Sequence, residues 1–391
     1  MLTALPEKLK TYLIFSDFMR GSSTTIKVNS PYITEDEVRE VAKVLGSGNL
    51  AAGEYTRLFE ESFARYLGVR HVLTVSNGTV ALYLALRALG IGPGDEVAVP
   101  DFTFFATASS VVLAGGRVIP VDINLETYNL DPNDLRERLT EKTKAVILVH
   151  LYGQPADVDG VREVLKDRTV FLIEDCAQSH GAEYKGVKTG SLGVVSAFSF
   201  YATKNLTMGE GGAVATNRDD IAEYVKLQRN HGQVEKYFHT VIGWNFRITD
   251  LQAALGYVQL AKLDKMNERR RAIAKIYNEE LTEIKFLKLP VEKSYAKHVY
   301  HQYTVWVHGS GVRDKLSEFL RARGVQTAVH YPSPVHTQPA LRDYLIVSKK
   351  LVNSVEASKH VLSLPMHPGL SDEDVLTVVE YIKEFFRDLK V

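Results

Sequence analysis

Seven short apolar runs lie between Val72 and Thr216, and they narrow the choice of fold more than any other feature. They read "HVLTVS", "EVAVP", "RVIPV", "KAVILVH", "TVFLIED", "VSAFSF" and "AVAT". Most are rich in Val and Ile and are apolar at successive positions rather than at every second one. A strand with one wet face alternates, whereas a strand covered on both faces does not. Helical patterns occupy the intervals, at 79–89, 106–113 and 158–165. This alternation predicts an α/β domain with a mainly parallel central sheet covered by helices.

The rest of the chain is patterned differently. Residues 1–30 have little regular pattern and read as an N-terminal arm with no assigned role. "PYITEDEVREVAKVLGSGN" then reads as a capped helix, with Thr34 as the cap, Glu37 three positions on and Gly46 after the last apolar residue. Two long helical patterns cover 249–263 and about 265–281, and the Arg- and Glu-rich second one suits a connector. "HQYTVWVHG", a helix at 312–322, "GVQTAVHYP" and a helix near 372–389 read as a smaller α+β domain. The expected division is an arm over 1–30, a large domain over 31–264, and a connector with a small C-terminal domain over 265–391. A length of 391 residues suits two such domains.

Charge removes several function classes. Lys and Arg total 47 and Asp and Glu total 47, so the net charge is zero, and no long basic run occurs. Neither nucleic acid nor an anionic membrane is an expected partner. No apolar run reaches membrane-spanning length, and the opening "MLTALPEKLKTYLIFSDFMRGSS" lacks the three-part layout of a signal peptide. Cys176 is the single cysteine, so neither an internal disulfide nor a cysteine-built metal site is expected, which fits the cytoplasm.

Three segments carry residues with chemical potential. In "LTVSNGTVALYLAL" a strand ends in a glycine turn and a helix starts at about Thr79. Free N–H groups at a helix start bind phosphate, although such turns also serve as plain connections. In "TVFLIEDCAQSHGA" Asp175 stands at the carboxyl end of an apolar strand, where open α/β sheets place their ligands. A buried acid there calls for a cationic partner: a metal, an arginine or a protonated ring nitrogen. Gln178 and His180 follow on the same loop, and no further ligand stands at metal spacing, so no metal is assigned. In "VSAFSFYATK" Lys204 stands just past another strand. A lone lysine is usually solvated. An acid, a lysine and a phosphate-type turn at three strand ends together suit pyridoxal phosphate. The lysine would bond the aldehyde, the acid would keep the ring nitrogen protonated, and Ser199 would add a hydroxyl to the phosphate. One of Phe104 and Phe105 would stack on the ring and the other would pack in the core.

The chain resembles the DegT-like family of sugar aminotransferases, which are fold-type-I pyridoxal phosphate enzymes. The matching strings include "VSNGTVAL", "GPGDEVAVPDFTFFATA", "IEDCAQSHGA", "GSLGVVSAFSFYATKNLTMGEGG", "WNFRITDLQAA", "AVHYPSPVH" and "VLSLPMHP", in the family's order from about Pro31 onward. The resemblance implies that Lys204 bonds the cofactor and Asp175 faces the ring nitrogen. It implies that Gln178 lies near the ring and its phenolic oxygen. Gly78, Thr79 and Ser199 would hold the phosphate, and Phe104 would stack on the ring. Asn245 in "WNFR" matches an asparagine that reaches the phosphate in a neighbouring subunit, which implies a homodimer with shared active sites. His231, His330 and Tyr331 match substrate-side positions, and His180 is a further candidate there, with structural roles as the alternative. Arg247 has a structural alternative as a buried ion-pair former.

Family members that dehydrate sugars carry a histidine where this chain has Lys204, so transamination is implied. The donor would be glutamate or glutamine, and the acceptor a keto-sugar, nucleotide-linked. Pyridoxamine phosphate would form between the two halves of the reaction. The alternatives are a keto-cyclitol aminotransferase, a lyase or racemase with the same cofactor, and a non-catalytic regulator on the same scaffold. A dinucleotide dehydrogenase is disfavoured, because "GEGG" lacks the strand–Gly-x-Gly-x-x-Gly–helix context.

Overall fold

The computed structural model describes residues 25–389. The expected arm over 1–30 therefore lies largely outside the described residues. All seven apolar runs form strands of one sheet: β1 (His71–Val75), β2 (Glu96–Pro100), β3 (Arg117–Val121), β4 (Thr143–Val149), β5 (Phe171–Asp175), β6 (Val195–Ser199) and β7 (Gly212–Thr216). Their order across the sheet is β1-β7-β6-β5-β4-β2-β3. β2, β3, β4, β5 and β6 pair in parallel, and β7 runs antiparallel between β6 and β1.

The continuous apolar runs have the cause anticipated for them. Along β4, Ala145, Ile147 and Val149 join one core cluster, and Val146 and Leu148 join another on the opposite face. Helices cover both faces, so every position of the strand except Lys144 is buried. Ile147 is fully buried, and cutting it to alanine would cost about 2–5 kcal/mol.

Where two helical patterns were expected around residue 264, one helix runs unbroken from Asp250 to Leu281. The join "LDKMNERRR" holds neither Gly nor Pro and consists mostly of good helix formers, so nothing ends the helix there. Its N-terminus is closed by Thr249 and Gln252 as a capping box. Ala253 and Leu263 pack in the large core, while Ile273, Ala274, Tyr277 and Leu281 pack in a second cluster. That cluster covers a three-stranded sheet of β8 (Leu287–Lys288), β9 (Tyr303–Val307) and β10 (Val361–Leu364), with the helices Val312–Ala322 and Asp372–Asp388. "GVQTAVHYP" forms no full strand; Val325 and Ala328 make isolated bridges to Ile26 and Ser363.

The sheet directs five loops to one edge. Because β1 and β6 both run antiparallel to β7, the carboxyl ends of β1, β2, β4, β5 and β6 all point the same way.

Candidate active site

Those loops enclose a cavity of about 350 Å³, which the 330–331 segment of the smaller domain also lines. Lys204 and Asp175 both line it. The strand β6 ends at Ser199, and a turn closed by Lys204 N donating to Tyr201 O at 2.9 Å carries the lysine side chain inward. Burial pulls its ammonium down to about 8, against the opposing pull of the Asp175 charge. An amine in that range has a usable neutral fraction at neutral pH.

Asp175 closes β5 and is buried. Its Oδ1 accepts from Ala177 N at 3.1 Å and its Oδ2 from Thr107 Oγ1 at 2.9 Å. Burial pushes its carboxyl above the usual range in spite of both bonds and of the Lys204 charge. The ionised group is thus short of partners, and a cation arriving in the cavity would stabilise it.

Gln178 is fixed at both ends of its amide. Its Oε1 accepts from Tyr152 N at 2.7 Å, and its Nε2 donates to Tyr331 Oη at 2.9 Å. The helix Gly78–Ala88 aims its N-terminus into the same cavity. The Asn77 side chain caps Val80 N at 3.0 Å, and the N–H groups of Gly78 and Thr79 precede the helix's own acceptors. A Cβ built on Gly78 would stand 2.8 Å from the Ser199 Cβ, so only glycine lets the turn approach Ser199 this closely. Phe104 is 57% exposed at the mouth, its ring 6.0 Å from that of Tyr331.

The remaining candidates separate into two groups. His330 and Tyr331 line the cavity, and His330 Nδ1 pairs with Ser363 Oγ at 2.9 Å. Burial, helped by the Lys204 charge, pulls the His330 ring down to about 4. His180 does not line the cavity. It is fully buried between the rings of Phe198 and Phe200, at 5.6 and 5.7 Å, so the expectation that it meets substrate gives way to a packing position in the core. His231 and Asn245 lie on an exposed segment outside this chain's cavity. Arg247 pairs with the Asn230 side chain at 2.5 Å, not with an acid.

A phosphate-sized anion fits the Gly78–Thr79 turn beside Ser199, and a protonated ring nitrogen fits the under-partnered Asp175 carboxylate. An aldehyde fits the reach of Lys204. These groups fit pyridoxal phosphate. A profile of the DegT/DnrJ/EryC1/StrS aminotransferase family matches residues 31–383. The chain belongs to that family. A relative from Streptomyces venezuelae, dTDP-3-amino-3,4,6-trideoxy-alpha-D-glucose transaminase, is 40% identical over 88% of this chain and 90% of its own. A Geobacillus stearothermophilus relative named pleiotropic regulatory protein is 41% identical over 90% and 94%. The crystal structure of S. venezuelae DesV in complex with a ketimine intermediate superposes with a TM-score of 0.87 at 39% identity, covering 91% of this chain and 95% of that one. Pyridoxal phosphate is the family's cofactor, and the chain is an aminotransferase.

Several side chains that act on this site escaped the sequence reading. Thr107 bonds Asp175, and His301, Gln302 and Glu210 line the cavity. Thr107 sits one helical turn past Phe104 in "FTFFAT", a spacing that returns it to the same side of the helix start. His301 lies far away in the chain, and no local pattern marks it.

Proposed function

We propose that this family member moves an amino group from an amino acid, glutamate first, to a keto-sugar carried on a nucleotide. The observation that carries this reading is the shared cavity of Lys204 and Asp175. Pyridoxal phosphate supplies an aldehyde that takes up the amino group and a ring that withdraws electrons. Gly78, Thr79 and Ser199 would hold its phosphate, Phe104 would cover one face of its ring, and the Asp175 carboxylate would keep the ring nitrogen protonated. Lys204 would bond the aldehyde between turnovers. With a donor amine in its place, Lys204 Nζ would take the proton from the donor's α-carbon and deliver it to the carbon that carried the aldehyde, as a base pulled down to about 8 is suited to do. His330 and Tyr331 face the sugar, with His330 neutral.

A second copy of the chain covers the segment 231–245 and brings Asn245 to its partner's phosphate. The exposure of Tyr237 at 82% and Ile242 at 94% beside Asn245 supports this dimer. The name of the S. venezuelae transaminase, which specifies a dTDP-sugar, supports a nucleotide-linked acceptor. A cytoplasmic setting fits the lone buried thiol and the absence, among the described residues, of a helix able to cross a membrane. The boundary between the two domains falls inside the long helix, near residue 264.

The name of the Geobacillus relative favours a second reading, a regulator without turnover. One experiment separates the two. Purified protein loaded with pyridoxal phosphate is mixed with glutamate while its visible absorbance is followed, and nucleotide keto-sugars and a keto-inositol are then offered. Loss of the band with 2-oxoglutarate release, and its return with a nucleotide keto-sugar, supports transamination. A band indifferent to every amino donor would sink it, and a return with keto-inositol alone would move the acceptor to the cyclitols.

A further inference from the structure

The loop leaving β2 does more than present Phe104. Its first residue, Asp101, is fully buried and does not line the cavity. Its N–H donates to Val121 O at 2.7 Å, which ties it to the sheet edge. All three of its oxygens are used by the C-terminal part of the chain. The main-chain oxygen accepts from Val335 N at 2.8 Å, and Oδ1 accepts from His336 N at 2.8 Å. Oδ2 pairs with His336 Nδ1 at 2.6 Å and accepts from Ser354 Oγ at 2.5 Å.

The same loop reaches the site by two further routes. The rings of Phe102 and Phe104 stand 6.2 and 6.0 Å from that of Tyr331. Thr103 Oγ1 lies 3.1 Å from Thr107 Oγ1, which donates to Asp175. Tyr331 in turn accepts from Gln178. One short loop thus joins the acid under the ring nitrogen, the stacking aromatic and the segment that closes the cavity.

We propose that Asp101 and His336 are positioning residues, an ion pair that seats Tyr331 against Phe104 and Gln178. The inference rests on the cofactor placement proposed above. A carboxylate buried this deeply is stable only when paired and hydrogen-bonded. His336 is the charged partner, and a misplacement of about 1 Å at the site can cost on the order of a hundredfold in rate.

The pairing carries a pH dependence. The bond to Asp101 raises the His336 ring above its ordinary 6.5, burial opposes, Asp122 adds to the rise and Arg138 opposes it. Asp101, Asp122 and Arg138 are the charged groups that act most on the ring. A raised value means that the ring keeps its charge through its ordinary range and loses it as pH rises through the raised one, while burial also raises the Asp101 carboxyl, so the pair is lost again on the acid side as that carboxylate takes up a proton. Lys204 gains its neutral form over the same alkaline side, so the two trends oppose each other.

The test compares wild type with His336→Gln, Asp101→Asn and Ser354→Ala. Hydrogen exchange of residues 330–337 is measured in the cofactor-free proteins, and the rate of the glutamate half-reaction is measured against pH in the loaded ones. Faster exchange in His336→Gln and Asp101→Asn is expected, with a rate loss of about tenfold to a hundredfold. The visible band is retained in both, and the alkaline fall of the rate disappears. Ser354→Ala keeps the ion pair and is expected to keep the alkaline fall. Unchanged exchange, or a wild-type rate and pH profile in His336→Gln, overturns the proposal, as does an alkaline fall lost equally in Ser354→Ala. If Asp101→Asn does not fold, His336→Gln decides alone, since its side chain is partly exposed. A wild type without a visible band indicts the cofactor placement instead, and the exchange comparison still judges the clamp.

Discussion

Two consecutive acids end β5, and the strand's period of two turns them to opposite faces of the sheet. Glu174 is fully buried on one face, where its carboxylate accepts from Gly190 N, Leu192 N and Gly193 N at 2.7–2.8 Å and meets His150 Nε2 at 3.0 Å. Burial pushes this carboxyl up, but His150 and the N–H groups outweigh it and hold it below the usual range. Asp175, on the other face, has two partners and an open cavity, and burial prevails. The same chemical group, one residue apart, is saturated on one side and left short on the other. Saturation makes a structural part. Shortage makes a binding site, because the missing partner must come from a ligand.

His150, Glu174 and Cys176 bring three metal-capable atoms within 4.8 Å of one another. Full partnering makes this a structural cluster. His150 Nδ1 accepts from Ala156 N at 3.0 Å, so its Nε2 carries the proton and donates to Glu174, and no lone pair is spare for a metal.

Lys204→Ala acts on the unsaturated face. Turnover is expected to fall by about 10²–10⁴-fold or more, with an unchanged far-ultraviolet spectrum. An active variant would remove the base from the account. Wild type offers a companion measurement. Only the neutral amine attacks an aldehyde, so uptake of the cofactor by cofactor-free protein should accelerate with rising pH and level off above about 8. A rise that continues past pH 8 toward about 10, as for a solvated lysine, would contradict the burial of Lys204.

On the saturated face, Glu174→Gln is expected to lose about 1–3 kcal/mol of stability, because it leaves His150 and three N–H groups without their charged acceptor. Denaturant unfolding reads this directly. The sign with pH follows: a carboxyl held below its ordinary 4.5 contributes stability above that value, and the contribution is lost as pH falls through the lowered one. Asp175→Asn runs the other way. Its carboxyl is raised above 3.8, so ionisation is a burden on the cofactor-free protein at neutral pH. The variant should melt at or above wild type before loading, and lose about a hundredfold in rate after it. Parallel losses of stability in both variants would erase the distinction between the faces.

Much of this contrast was legible in the residues. Runs apolar on both faces gave the sheet, because burial on two sides leaves a compositional trace. Strand ends gave Asp175, Ser199 and Lys204, because open sheets converge their loops on one edge. The period of two also implies that Glu174 must face away from Asp175, although which acid meets the cavity depends on what packs on each face. His180 shows where local reading stops: its place between Phe198 and Phe200 is set by the facing strand's rings, not by the loop that carries it. His301 and the Asp101–His336 pair join residues 96 and 235 positions from their partners, and no spacing rule spans such distances.

The smallest expected effect sharpens the comparison most finely, because it asks whether a residue can belong to the site without belonging to the fold. Phe104 is 57% exposed and caps the start of the helix Phe105–Leu113 without a side-chain bond. In cofactor-free protein, Phe104→Ala removes little buried surface, so its melting temperature should stay near wild type. Once the cofactor is loaded, the ring loses its stacking partner, worth about 0.5–1.5 kcal/mol, or roughly two- to tenfold in cofactor dissociation. Equilibrium dialysis measures the second quantity and calorimetry the first. A drop in melting temperature without any change in cofactor retention would place Phe104 with Glu174 among the structural parts, and would leave Asp175 and Lys204 to hold the ring without a stacking face.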